Sequence, residues 1–210
     1  MRMPLLMVTL LMVTAQAGMG ATEDDRPVTR VFLPPSLAQL YVRQAIEGAM
    51  DRLQDPECRQ VMTDFTDDAG HLLLANLQTL DQSAPERLSD MLFVDASDEP
   101  ACLDPVTGAY TTPGSRVVFV CAARFATSSA PLSGAAGEIL VIHELLHSLG
   151  LGESPSTLGA PTSAQITRQV WARCGDAHTL AYRNRQNWTS VLEASTKPSI
   201  RVAARPGFLR

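Results

Sequence analysis

Ala135-Ala-Gly-Glu-Ile-Leu-Val-Ile-His143-Glu144-Leu-Leu-His147-Ser-Leu-Gly150-Leu-Gly-Glu153 is the stretch on which the reading of this chain turns. Ile139, Leu140, Val141, Ile142, Leu145, Leu146 and Leu149 fall on almost every side of a helix spanning about 135–149. Such a helix belongs in the centre of a domain rather than on its surface. Two imidazoles and a carboxylate inside it are costly to bury without partners. His143 and His147 stand four residues apart, on one face and one turn apart, close enough to share an ion. Neutral imidazole nitrogen binds Zn²⁺ at about 2.0–2.1 Å. Glu144 is turned about 100° from His143, where a carboxylate can take a proton from water beside the ion without ligating it.

The segment 143–153, HELLHSLGLGE, resembles the zincin metallopeptidases. Gly150 falls where the metzincin branch of that family has the glycine of HExxHxxGxxH, and the third-ligand position, three residues on, is Glu153. A glutamate oxygen ligates zinc at about 2.0–2.2 Å, so this replacement of histidine is chemically sound. No methionine follows Met91, so the Met-turn of that branch is missing. The resemblance implies an α+β, zincin-like fold: a small, mostly antiparallel sheet packed on helices, with a central active-site helix. It implies a zinc ion held by His143, His147 and Glu153, Glu144 as general base, and hydrolysis of a protein or peptide substrate. It further suggests that the strand at 116–121 forms an antiparallel edge above the cleft, to which substrate backbone pairs.

Other third ligands remain open. Asp176 and His178 follow a helix end, and Glu193 is the only acid further on. His71, after a glycine turn, reads as a surface residue, and Asp67-Asp68 lacks the ligand spacing of a calcium loop. Nothing in the sequence places Tyr182 near the ion. Two other functions compete: an exported zincin-fold module that binds without turnover, and a zinc hydrolase of a non-peptide amide such as a cell-wall bond.

Working outward, Arg116-Val-Val-Phe-Val-Cys121 is the clearest strand, being continuous and β-branched. Residues 28–33 and 91–94 are further strands, and 95–115 reads as a loop. Ser36 caps a helix to about Gln54, with Leu37, Leu40, Tyr41, Gln44, Ala45 and Gly48 on one face. Shorter helices are expected at 58–65 and 71–80. Thr162 and Gln165 have capping-box spacing for a last helix that Gly175 closes.

Residues 1–17 read as a signal peptide, with Arg2, the apolar run Leu5–Val13 and the small-x-small site Ala15-Gln16-Ala17. Residues 18–27 are a loose segment, 28–180 the catalytic domain and 181–210 a C-terminal extension. The expected location is secreted or periplasmic, with no membrane anchor. Removing the leader takes away Arg2 and no acid, leaving 16 basic against 22 acidic residues, net −6. Without a basic cluster, nucleic acid is not an expected partner. Export makes the four cysteines two disulfides. Of three connectivities, Cys102–Cys121 with Cys58–Cys174 is preferred because the first closes a local loop.

Overall fold

A computed structural model describes residues 29–126, 132 and 134–175. Within them the fold is α+β, with four strands in one sheet and seven α-helices. The leader 1–17, segment 18–27 and extension 181–210 lie outside the described residues, as do Asp176, His178, Tyr182 and Glu193.

Strand β1 (Arg30–Phe32) ends at Pro34-Pro35, and Ser36 starts helix α1 (Leu37–Arg52) by accepting from the Gln39 N–H at 3.2 Å. The buried stripe of α1 is Ala38, Val42, Ala45, Ile46 and Ala49, while Leu37 and Leu40 are 63% and 48% exposed. The expected apolar face is therefore wrong by about one residue's rotation. Close approach decides it: a Cβ on Gly137, in the central helix, would lie 3.1 Å from that of Ala45. Helices this near exclude leucine from the contact and select alanine and glycine.

Short helices α2 (Pro56–Arg59), α3 (Leu73–Thr79) and α4 (Ala84–Ser89) lead to β2 (Leu92–Asp95). Helix α4, unforeseen, is opened by a reciprocal cap between Ser83 and Glu86. Strands β3 (Ala109–Thr111) and β4 (Val117–Val120) follow, then α5 (Ala122–Ala126). The sheet order is β1-β2-β4-β3. β1 runs parallel to β2 and β2 to β4, and only β3 pairs antiparallel, with β4.

Two expectations are corrected here. The sheet is mixed, not mostly antiparallel, because the helical connection from β1 to β2 returns the chain in the same direction. The segment 116–121 is also interior rather than an edge. The antiparallel edge is Ala109–Thr111, within a stretch read as loop, and a disulfide from Cys102 to Cys121 ties its approach to the end of β4.

Helix α6 (Ala135–Ser148) lies in the core against α1, and α7 (Ser163–Cys174) packs on it. The reciprocal Thr162–Gln165 cap opens α7, and a Cys58–Cys174 disulfide fastens its end to α2. Both disulfides are the preferred pairing, as fits an extracellular protein. No described helix is long and apolar enough to cross a membrane.

Candidate metal centre

Helix α6 buries both His143 and His147. Their Nε2 atoms are 3.0 Å apart, and Glu153 Oε2 lies 3.2 Å from His147 Nε2 and 3.5 Å from His143 Nε2. Three donors bound tetrahedrally at about 2.05 Å would stand about 3.3 Å from one another. The cluster is therefore preset to the separations that a small divalent ion imposes, and these three residues could hold a metal ion.

The outer nitrogens fix the rings. His147 Nδ1 lies 2.7 Å from the Leu151 carbonyl oxygen. That oxygen only accepts, so Nδ1 carries the proton and Nε2 of the neutral ring keeps a lone pair for the cluster. His143 Nδ1 is 2.9 Å from Thr167 Oγ1 on α7.

Glu153 arrives through a sharp reversal. Gly150 takes φ +103°, in the left-handed region, and its N–H and that of Leu151 bond to the His147 and Leu146 carbonyls at 2.9 and 3.2 Å. The reversal is seated on the loop after Phe65: Asn76 Nδ2 donates to the Leu149 carbonyl at 2.8 Å and to Asp67 Oδ2 at 3.0 Å. A Cβ at Gly152 would meet Asp68 Oδ1 at 2.5 Å, so the turn lies flush on that loop.

Glu144 is 2% exposed, and among the described residues its Oε2 has no hydrogen-bond partner. Buried polar atoms are nearly always paired, so an unpaired carboxylate oxygen one residue from His143 is an exception that calls for an explanation. Charge runs through the cluster. Burial pulls the His147 pKa down, but Glu153, the charge of Glu144 and the Leu151 carbonyl outweigh it and raise it. Burial likewise pulls the Glu153 carboxyl up, yet its bonds to His143 and His147 hold it down to about 2.

The structure thus brings together His143, His147 and Glu153, with Glu144 alongside. His71 is exposed and sits 3.3 Å from Asp67, away from the cluster. The Asp67 carboxylate is occupied by the Ala69 and His71 N–H groups and by Asn76. Thr167, the Leu151 carbonyl and Asn76 were missed by sequence reasoning, since no spacing rule links them to the motif. Two cavities, of about 420 Å³ beside Asp64 and Pro161 and about 670 Å³ beside Arg43 and Met50, are lined by none of the cluster residues. Among known proteins, no family model, curated protein or solved structure matches the chain.

Proposed function

We propose that this chain is a secreted zinc metallopeptidase of zincin type that hydrolyses peptide bonds. The observation that carries the reading is the meeting of three lone-pair donors at ion-like separations beside a buried, unpaired carboxylate oxygen. The donor set suits zinc, since two imidazoles and one carboxylate leave a fourth tetrahedral position open.

A zinc ion held by His143, His147 and Glu153 would supply Lewis acidity and would lower the pKa of water in the site to about 7. The residues of the chain do the rest. His143 and His147 present Nε2 from one helix face, and Glu153 closes the triangle from the turn. Glu144 Oε2, free of other partners, receives the proton of the attacking water and returns it to the leaving amine nitrogen. β3, the last strand of the sheet among the described residues and in contact with α6, is the strand to which an extended peptide would add. The Gly114 N–H bonds to the His147 carbonyl at 2.9 Å and ties the turn after β3 to this helix.

The test is turnover by zinc-loaded protein on casein and on purified peptidoglycan, with Glu144→Gln as control. Cleavage of casein abolished by the substitution supports the peptidase. Cleavage of peptidoglycan alone moves the activity to a cell-wall amide. Loss of neither substrate, with zinc bound, leaves a binding module and refutes the enzyme.

A further inference from the structure

The two imidazoles are held differently. His147 is fixed by a main-chain carbonyl of its own turn, whereas the outer nitrogen of His143 is paired with a side chain of another helix, Thr167 Oγ1 at 2.9 Å. We propose that Thr167 is a positioning residue that keeps the His143 proton on Nδ1, so that Nε2 faces the ion as a lone pair. This rests on reading the cluster as a metal centre.

Thr167 is poorly explained by packing. The buried face of α7 is Ile166, Val170 and Cys174, and Thr167 lies one residue round from it, half-buried. What distinguishes the position is the hydroxyl. A β-branched side chain in a helix has few χ1 states, so Oγ1 is held in place by its own backbone. That backbone is braced along its length. The reciprocal cap of Thr162 and Gln165 sets the start of α7, and the Cys58 disulfide and an Arg52 hydrogen bond to the Cys174 carbonyl hold the end. Between them, Gln169 and Arg173 bond to Asp64 at 2.7 and 2.8 Å.

A neutral imidazole has one N–H and two places for it. If the His143 proton moves to Nε2, that atom points a hydrogen at His147 Nε2 and is lost to a metal. Thr167 Oγ1 can accept from Nδ1–H or donate to a bare Nδ1; where it accepts, Nε2 stays free, and an ion at Nε2 and the hydroxyl at Nδ1 then support the same tautomer. Such outer-shell partners typically contribute about 10–100-fold to metal affinity.

The experiment compares wild type, Thr167→Val and Thr167→Ser in zinc titrations against a chelating indicator. Nitrogen-15 shifts of the His143 ring are read in the metal-free protein. Valine copies the shape of threonine without the hydroxyl, and serine keeps the hydroxyl without the methyl. Zinc affinity should fall about 10–100-fold for valine and stay within about threefold for serine. The valine ring should lose its preference for Nδ1–H. A packing role would reverse this order, penalising serine and sparing valine, and would overturn the proposal. So would equal affinity in all three. Should valine not fold, Thr167→Ala against Thr167→Ser gives the same contrast. If wild type binds no zinc, the metal reading itself falls, and the ring shifts still decide the tautomer claim separately.

Discussion

Glu144→Gln separates function from stability at one atom. In the folded protein this carboxylate is 2% exposed with Oε2 unpaired. An unsatisfied buried polar group costs about 1–3 kcal/mol, and more when charged. Glutamine has the same shape and no charge, although its amide also stays buried. Part of the penalty therefore remains, and losing the Glu144 charge near His147 offsets some of the gain, so the expected net gain is at most about 1 kcal/mol. For a domain of this size that raises Tm by at most about 2–4 °C. The proposed proton transfer, meanwhile, is lost, and general-base contributions run to about 10²–10⁴-fold. Zinc should remain bound, since Glu144 is not among the three clustered donors. The assay is calorimetry of the metal-free proteins, zinc content, and turnover on the same preparations. A variant that is less stable by about 1 kcal/mol would show that the Glu144 charge near His147 outweighs the cost of its unpaired oxygen and would refute the reasoning. A variant that keeps a tenth or more of the activity would remove Glu144 from the mechanism.

The protein should purify with about one zinc per chain. His143→Ala or His147→Ala should abolish binding, and Glu153→Ala should weaken it by at least tenfold while Glu153→Asp keeps part, measured by metal titration; unchanged affinity in Glu153→Ala moves the third ligand elsewhere. In the metal-free protein, Glu153 is depressed from 4.5 to about 2 and His147 is raised above 6.5. The cluster's contribution to stability should therefore be full between those ordinary values, fall on acidification towards pH 2, and fall as pH rises through the raised value of His147. Zinc needs the imidazoles deprotonated, so its added stabilisation should grow with pH, and a flat difference in Tm with and without zinc would contradict this. Removing Cys58–Cys174 should cost about 5 kcal/mol against about 3 kcal/mol for Cys102–Cys121, because the closed loops differ so much in length. Denaturant unfolding of the paired serine variants checks the order.

Helix α6 was legible because its apolar residues surround it and its histidines stand at a spacing that only a helix makes useful. Caps were legible for the same local reason: Ser36 and the pair Thr162–Gln165 act within one turn of chain. The disulfides followed from export and loop closure. Strand direction was not legible, since the three residues of β1 or of β3 carry no information about which way a neighbour runs. The face of α1 was misread because Leu37 and Leu40 are the large residues, while the contact with α6 is made by Ala45 against Gly137. The three clustered residues that could hold an ion lie within eleven residues and could be proposed from sequence. Thr167 comes from a separate helix 24 residues past His143, and Asn76 from one 73 residues before Leu149. Spatial neighbours of that kind leave no periodic mark.

The bond between Cys58 and Cys174 encloses three of the four strands (β2, β3 and β4), the central helix and the turn that bears Glu153. Any single backbone cut within that circuit leaves both pieces tied together. Leu158, wholly exposed in the loop before α7, is a place where such a cut can fall. After such a cut α7 remains tethered at its far end, at an effective concentration that short tethers bring to about millimolar. Thr167 then stays within reach of His143. A single cut inside the circuit therefore leaves His143, Glu153 and Thr167 on one covalent framework.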